Sequence, residues 1–325
     1  MTTHMRALVL RALEGPAALA ATTVPVPAPD DRLVHINVEA AGVSYPDLLL
    51  TRGQYQLRLE PPFVPGSEVA GVVRSAPDGS GFALGDRVMA LTTSGGWAER
   101  VAVAPELVAQ APASLDPVRV AAMVMNHQTA WFALTRRAQL APGETVVVLG
   151  AAGGVGSACV QVASRLGARV IAVVHREGAE DYVAGLGADE VVALRDGWMP
   201  RVRELTGGLG ADVVADPVGG DAFDDAVRVL APGGRLLVLG FAGGGIPSIK
   251  VNRLLLRNAA VVGAGWGEAL RRDPCLFARG AEALAGFVAD GMMPPVTERR
   301  ALADGRDALE LLERGGVLGK VVLEV

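Results

Sequence analysis

The segment whose residue types most directly predict chemistry is a glycine-rich turn, Leu149-Gly-Ala-Ala-Gly-Gly-Val-Gly156. It follows a β-branched run, Thr145–Leu149, and leads into a helical pattern of apolar residues that Gly167 closes. A strand, a glycine turn and a helix start in this order present unpaired N–H groups and the positive end of the helix dipole to a pyrophosphate. We therefore expect a dinucleotide site here rather than a purely structural turn. The residues assigned to it are Gly150, Gly153, Gly154, Val155 and Gly156.

The next predicted strand, Arg169–Val174, indicates which dinucleotide is bound. NAD sites usually have an acidic residue at the end of this strand, where it accepts a hydrogen bond from the ribose 2′-hydroxyl. Val174 stands at that place, and His175 and Arg176 follow it. A guanidinium can bind a 2′-phosphate through charge-assisted hydrogen bonds. We expect NADPH, with His175 and Arg176 as cofactor residues; the alternative is a solvated loop arginine neutralised by Glu177.

The elements around these residues indicate two kinds of domain. From about Met5 to Val103, short β-like runs alternate with Gly, Pro and Asp turns, which is typical of a β-rich domain. An apolar helical stretch then leads from about Pro117 to Leu140. From Glu144 onward, strands and helices alternate, which predicts βαβ units and a parallel sheet. The fold class is therefore α/β, with a doubly wound Rossmann sheet in the second half.

Composition excludes several classes of function. The 325 residues carry a formal net charge of −5, and no run of lysine or arginine indicates nucleic-acid binding. Apolar stretches are interrupted by Gly, Arg or Asp well before they could span a membrane. The first 13 residues lack the continuous apolar region of a secretory signal, and only two cysteines occur. We expect a cytoplasmic protein that binds neither membranes nor nucleic acid.

Short motifs along nearly the whole chain resemble the medium-chain dehydrogenase/reductase superfamily, specifically its zinc-independent quinone oxidoreductase (zeta-crystallin-like) branch. Each motif is short, and their order and spacing together carry the resemblance. In the first half they are Ala41-Gly-Val-Ser-Tyr-Pro-Asp47, Arg52-Gly-Gln-Tyr55, Pro65-Gly-Ser-Glu-Val-Ala-Gly71 and Gly85-Asp-Arg-Val88. In the second half they are Ala151-Ala-Gly-Gly-Val-Gly156 with Gln161, Asp216-Pro-Val-Gly-Gly220 and Gly319-Lys-Val-Val322.

This resemblance implies two domains and no metal. Residues 1–125 and 267–325 would form a GroES-like, β-rich catalytic domain, and residues 126–266 the Rossmann domain that binds NADPH. Zinc-dependent relatives have Cys where Ser44 stands and His where Ser67 stands. Hydroxyl groups are poor zinc ligands, and Glu68 alone does not make a site. We therefore expect neither catalytic nor structural zinc.

The resemblance also implies candidates near the substrate and the nicotinamide. Tyr55 is the candidate hydrogen-bond donor to the acceptor oxygen, with Tyr45 beside the substrate; a half-buried packing role is the alternative for Tyr55. Asp47 would lie near the nicotinamide or cap a helix, and Ser44 would bind substrate or fill the vacated ligand position. Asn126 and Thr129, placed at the start of the helix entering the Rossmann domain, would contact the nicotinamide ribose or amide, or cap that helix.

The remaining candidates follow later strands of the predicted parallel sheet. Loops at the carboxyl ends of such strands meet the ligand, which selects Val218, Gly240 and Phe241 as cofactor residues. Trp266 would border the substrate, with core packing as its alternative. Lys320 is assigned to cofactor phosphate, with an ordinary surface charge as its alternative.

Together these residues predict an NADPH-dependent, metal-free oxidoreductase that transfers hydride to a quinone or another electron-poor carbonyl compound. Such acceptors need no Lewis acid, because the negative charge spreads onto an oxygen that hydrogen bonds can hold. One alternative is an enoyl or enone reductase, acting on a 2-alkenal or an enoyl-thioester. Another is an NADPH-binding protein with little catalysis. Residues 246–266 resemble sheet-edge segments through which related enzymes form homodimers, so a homodimer is expected.

Overall fold

The structure is a computed structural model that describes residues 3–195 and 197–325. Met1, Thr2 and Asp196 belong to the predicted domains but lie outside the described residues. The strands are β1 His4–Leu10, β2 Leu19–Pro25, β3 Val34–Val43, β4 Glu68–Ser75, β5 Arg87–Leu91, β6 Arg100–Val103, β7 Val108–Gln110, β8 Thr145–Leu149, β9 Arg169–Val174, β10 Glu190–Ala193, β11 Ala211–Asp216, β12 Leu230–Val238, β13 Ala260–Gly263, β14 Val296–Ala301 and β15 Lys320–Glu324. The α-helices are α1 Tyr45–Thr51, α2 Pro117–Trp131, α3 Gly154–Arg165, α4 Glu180–Gly185, α5 Trp198–Leu205, α6 Ala222–Arg228, α7 Asn252–Leu255, α8 Trp266–Arg272, α9 Cys275–Ala289 and α10 Gly305–Glu313.

The chain divides into two units. One contains the residues up to Met125 together with Leu270–Val325, and the other is Asn126–Ala269. The sequence places the domain boundaries at 125/126 and 266/267, so the second division falls three residues later, inside α8. None of the helices in the described part of the chain is long and apolar enough to cross a membrane.

The first unit is built on a seven-stranded sheet with the order β14-β15-β3-β4-β5-β7, and β6 also pairs with β3. β1 and β2 form a separate antiparallel pair in which His4 lies opposite Pro25. The strand β15, from the end of the chain, pairs antiparallel with β3 so that Val321 lies opposite Val43. This architecture confirms the predicted GroES-like, β-rich domain completed by the C-terminal segment.

The second unit is built on six parallel strands in the order β10-β9-β8-β11-β12-β13. β9 lies on one side of β8 and β11 on the other, so the order of connection reverses at β8. This is the doubly wound Rossmann arrangement, in which ligands bind outside the carboxyl ends of the strands at the reversal. The strand cores are completely buried; Val146, Val147 and Val148 of β8 have no exposed surface. Both features confirm the predicted fold class.

The helix between the two units differs from its prediction. α2 begins at Pro117, whose fixed φ suits the first turn of a helix, and Asp116 accepts a hydrogen bond from the N–H of Arg119 at 2.8 Å. At Trp131 the α-helix gives way to a π-helical turn, Phe132–Arg137. Asn126 and Thr129 therefore lie in the second half of α2 rather than at its start. Their predicted alternative role as caps of this helix is wrong, because Asp116 occupies the cap.

Candidate active site

The glycine-rich turn between β8 and α3 brings the first turn of α3 into close contact with the backbone of the turn itself. Gly150 has a positive φ of 56°, and the Gly153 N–H donates to the Gly150 carbonyl at 2.9 Å. A Cβ at Gly156 would lie 2.1 Å from that same carbonyl oxygen. Only glycine lets α3 pack this closely on the turn, so the first N–H groups of α3, which have no partner within a helix, point out of the carboxyl edge of the sheet. The local geometry fits a pyrophosphate cradle.

The end of β9 carries the residues that predict the choice of nucleotide. Val174 is buried, His175 is exposed and Arg176 is half-buried. Neither His175 nor Arg176 forms a side-chain hydrogen bond or ion pair with another residue of the described ranges. Glu177 forms no ion pair with Arg176 in the described residues. The Arg176 guanidinium is available to an anionic ligand.

Asp216, at the end of β11, organises the loop that contains Val218. Its Oδ1 accepts hydrogen bonds from the N–H groups of Val218 and Gly219, both at 2.8 Å. Burial raises the pKa of Asp216, while these two N–H groups act in the opposite direction. The Val218 carbonyl in turn accepts the N–H of Gly243 at 2.8 Å. One buried carboxylate thus ties the loop after β11 to the loop after β12.

Other predicted cofactor residues lie along the same carboxyl edge. A Cβ at Gly150 would lie 2.8 Å from Val218 Cγ2, so the first and fourth βα loops are in contact. Gly240 and Phe241 follow β12, and Phe241 is 40% exposed. The motif Asp216–Gly220 is evident in the sequence, but the role of its aspartate is not. The signal that could have revealed it is an acidic residue at the end of a buried strand, directly before a turn.

Asn126 lies against the start of α3. A Cβ at Gly154 would come within 2.6 Å of the Asn126 Nδ2, which shows that this amide touches the helix start. Its neighbour His127 is buried and lies 2.9 Å from Gln161 Oε1 through Nε2. This bond clamps α2 onto α3 and fits a packing role for His127. Thr129, one turn further along α2, is half-buried.

In the first unit, Ser44, Asp47 and Ser67 form a buried hydrogen-bonded group. Asp47 Oδ2 accepts from the Ser44 N–H at 2.8 Å and from the Ser44 hydroxyl at 2.9 Å, and its Oδ1 accepts from the Ser67 hydroxyl at 2.6 Å. Asp47 has no exposed surface. Burial raises its pKa, and the hydrogen bonds from Ser67 and Ser44 act against that rise. The Asp47 carboxylate thus caps α1 and holds two hydroxyls, which supports its capping alternative; a place near the nicotinamide stays a prediction.

Lys320 and Glu68 form an ion pair inside the first unit. Lys320 is 3% exposed, Glu68 has no exposed surface, and Glu68 also accepts the Met125 N–H at 2.8 Å. Burial raises the pKa of Glu68, and the charge and hydrogen bond of Lys320 oppose this. Gly42 provides the room, because a Cβ there would lie 2.5 Å from the Glu68 carboxyl. The prediction that Lys320 binds cofactor phosphate is therefore wrong, and so is the surface-charge alternative, because a buried carboxylate requires its ammonium group.

The aromatic candidates differ in exposure. Tyr45, the first residue of α1, is 38% exposed, and Tyr55 is half-buried. Burial raises the pKa of the Tyr55 hydroxyl, the negative charge of Asp47 raises it further, and Arg271 acts in the opposite direction. Tyr55 thus stays protonated at neutral pH and can donate a hydrogen bond. Trp266 is only 4% exposed, which favours its packing alternative.

Comparisons with known proteins agree with these units. Residues 30–113 match a family model described as the alcohol dehydrogenase GroES-like domain, and residues 154–277 match one described as zinc-binding dehydrogenase. Quinone oxidoreductase-like protein 2 of Bos taurus is 36% identical over 296 residues, covering 90% of this chain and 85% of that protein.

Solved structures of oxidoreductases match this chain over almost its full length. A probable oxidoreductase from Mycobacterium abscessus is 51% identical with a TM-score of 0.93, and the match covers 99% of both chains. The quinone oxidoreductase of Thermus thermophilus, solved also in complex with NADPH, is 35% identical with a TM-score of 0.83. That match covers 99% of this chain and 100% of the other.

A Rossmann unit and a GroES-like unit in one chain, with relatives of this kind, define an oxidoreductase. The chain belongs to the medium-chain dehydrogenase/reductase superfamily, in its quinone oxidoreductase branch.

Proposed function

We propose that this protein is an NADPH-dependent oxidoreductase that works without a metal and transfers hydride to a quinone or a similar electron-poor carbonyl compound. The observation that carries the proposal is the end of β9, where a buried Val174 replaces the usual acid and Arg176 has no partner among the described residues. The structure of the Thermus thermophilus relative in complex with NADPH supports the same choice of nucleotide.

The residues present fit this cofactor. The glycine turn at 150–156 leaves room for the pyrophosphate at the start of α3. Arg176 and His175 are proposed to bind the 2′-phosphate. Val218, Gly240 and Phe241 follow β11 and β12, whose carboxyl ends belong to the same edge of the sheet. Asn126 and Thr129 extend this edge from α2. When bound, NADPH supplies the hydride; the chain binds it, orients it and excludes water.

The metal-free mechanism rests on residue types and hydrogen bonds. Ser44 and Ser67, at the positions where zinc-dependent relatives have Cys and His, both donate their hydroxyl protons to Asp47. Hydroxyls are poor ligands for zinc, and no group of three or more His, Cys, Asp or Glu within residues 3–195 and 197–325 could hold a metal ion. Activity should therefore be unchanged by a strong chelator.

An electron-poor acceptor suits such a site. A quinone accepts hydride and a proton to become a hydroquinone, and the charge that develops on oxygen needs only a hydrogen-bond donor. Tyr55 is the proposed donor, because its half-buried phenol is protonated at neutral pH and can donate a hydrogen bond. Ser44 and Tyr45 are the further residues proposed to border the acceptor.

We also propose a cytoplasmic homodimer. In the described residues the edge strand β13 pairs with β12 alone. The preceding segment exposes Ile246, Val251, Leu255 and Leu256, each between 72% and 80% exposed. Apolar side chains beside an open sheet edge are typical of an interface. Light scattering should give a dimer that Leu255→Asp dissociates, while Leu209→Asp, at an equally exposed leucine elsewhere, should leave it intact.

The decisive experiment measures NADPH and NADH oxidation against a small quinone and a small conjugated enone. Fast oxidation of NADPH with the quinone, and slow oxidation of NADH, would support the proposal, and Arg176→Ala should then erode the preference. Turnover of the enone alone would move the assignment to enoyl or enone reduction. Tight NADPH binding without turnover of either acceptor would indicate a binding protein with little catalysis. Equal rates with both nucleotides would contradict the role given to Val174 and Arg176.

A further inference from the structure

The carboxyl ends of β9 and β10 lie side by side in the second unit. The two strands are parallel, with Ala193 paired to Val174. One more backbone hydrogen bond, from Leu194 N–H to the Val174 carbonyl at 2.6 Å, continues the pairing past the end of β10. The residue that follows, Arg195, therefore leaves the sheet beside the turn that carries His175 and Arg176.

Hydrogen bonds hold the backbone of Arg195, whereas its side chain has no partner among the described residues. Its N–H donates to the Ala193 carbonyl at 3.0 Å, and its own carbonyl accepts the Trp198 N–H at 3.0 Å. The side chain is exposed, and it forms no hydrogen bond or ion pair with any other residue in the ranges 3–195 and 197–325. The turn thus fixes the Arg195 backbone at the end of β10, and the side chain takes no part in the contacts of the described residues.

Almost every other arginine of the second unit interacts with another residue of the protein. Within the described part of Asn126–Ala269, only Arg176 and Arg195 lack a hydrogen bond, an ion pair or an aromatic ring contact. The arginines with partners are Arg136, Arg137, Arg165, Arg169, Arg201, Arg203, Arg228, Arg235, Arg253 and Arg257. The two free guanidinium groups stand at the ends of two neighbouring strands, both at the edge where a dinucleotide binds in this topology.

We propose that Arg195 is a second cationic residue for the ribose 2′-phosphate and that, with Arg176, it determines the preference for NADPH over NADH. This inference rests on the proposed function. A phosphate monoester carries a charge of about −1.5 to −2 at neutral pH, which one guanidinium balances only in part. Glu177, Glu180 and Asp181, which follow Arg176 in the chain, add negative charge nearby. A second guanidinium offsets that repulsion and adds charge-assisted hydrogen bonds.

The test compares two ligands that differ only in the 2′-phosphate: adenosine 2′,5′-bisphosphate and AMP, titrated by calorimetry into the full chain. Arg195→Ala should raise the Kd for the bisphosphate by roughly tenfold or more, the value of a hydrogen bond to a charged group. The Kd for AMP should stay within about twofold, because AMP lacks the phosphate in question. Arg195→Lys should retain part of the affinity, since it keeps the charge but not the fork of donors.

Arg74→Ala is the matched control. Arg74 is an exposed arginine of the first unit without a partner among the described residues, so its removal makes the same change in net charge but leaves the second unit unaltered. It should leave both Kd values unchanged, and thermal unfolding should show that all variants fold.

The outcomes separate this inference from the proposed function. A wild-type protein that binds both ligands equally would overturn both. A preference that Arg176→Ala abolishes while Arg195→Ala leaves it intact would overturn the role of Arg195 and keep the choice of NADPH. An equal weakening of both ligands in Arg195→Ala would show that this residue only supports the loop, which also overturns the inference.

Discussion

Adding a single methyl group at Gly156 should disrupt the turn between β8 and α3. Its Cβ would lie 2.1 Å from the Gly150 carbonyl oxygen and 2.7 Å from the carbonyl carbon. An ordinary contact between carbon and a carbonyl oxygen is about 3.3–3.6 Å, so α3 must move by roughly 1 Å. Both atoms belong to the backbone, and no side chain can rotate away to relieve the overlap.

The magnitude follows from two opposing effects. Alanine within a helix is favoured over glycine by about 1 kcal/mol, whereas overpacking of this kind costs about 1–3 kcal/mol or more. Because the clashing atoms are all backbone, the upper end of that cost of about 3 kcal/mol applies. After the gain of about 1 kcal/mol, Gly156→Ala should lower the free energy of unfolding by about 2 kcal/mol, which moves the urea midpoint by about 1 M. A displacement of 1 Å at the phosphate cradle should also misplace the bound nicotinamide and lower the rate of hydride transfer by about 100-fold.

Gly153→Ala is the matched control within the same turn. Its Cβ would meet the Gly150 oxygen at 3.4 Å, and its φ of −83° is accessible to alanine. The loss of glycine at this helix cap should cost no more than about 1 kcal/mol. Urea unfolding of the cofactor-free protein, followed through Trp131 and Trp198, compares the two variants. Equal midpoints would refute the close approach of α3 to Gly150.

Three further predictions concern buried or paired carboxylates. Arg235 donates to both oxygens of Glu144, at 2.6 and 2.7 Å, and thereby lowers the pKa of Glu144 from 4.5. This stabilisation is present above pH 4.5, the pKa of an unperturbed glutamate, and is lost as the pH falls through the lower pKa of the folded state. The difference in unfolding free energy between wild type and Glu144→Gln should therefore shrink in acid. An equal difference in urea unfolding at pH 7 and pH 4 would contradict this. Asp216→Ala should cost about 2–4 kcal/mol because it leaves two N–H groups without their acceptor, whereas Asp216→Asn keeps the Oδ1 and should unfold close to wild type in thermal denaturation. Lys320→Met should cost about 3–5 kcal/mol by leaving Glu68 buried and unpaired, and adding Glu68→Gln should recover most of the loss; a double variant no more stable than the single one would count against the buried pair.

The sequence predicted the strands of the second unit well and the polar interior of the first unit poorly. The bounds of β8 and β9 agree with the prediction residue by residue, because continuous β-branched runs between glycines and charged residues leave little choice of strand ends. The bounds of α2 were less predictable, since its apolar pattern runs on through the π-helical turn at Phe132–Arg137.

Contacts between distant residues account for what the sequence did not reveal. Lys320 and Glu68 are 252 positions apart, and only the pairing of β15 with β3 brings them into one interior. A lysine beside glycine near the end of the chain has the local pattern of a surface residue. Likewise, nothing near Arg195 in the sequence indicates that it follows a strand paired with the strand before Arg176, because the register of β9 with β10 brings these two strand ends together.

The place of β15 in the first sheet has a consequence for the order in which the protein can fold during synthesis. β15 lies between β14 and β3 in the sheet, yet it is made after every other strand. The second unit is continuous in sequence and can fold as soon as it has left the ribosome. In β3, which is made early, the residues Ala40–Val43 have no partner on one edge until β15 is made, whereas Val34–Asn37 can already pair with β6. At about 5–20 residues per second, this part of the edge is exposed for tens of seconds, during which its unpaired N–H and C=O groups are open to pairing with another strand.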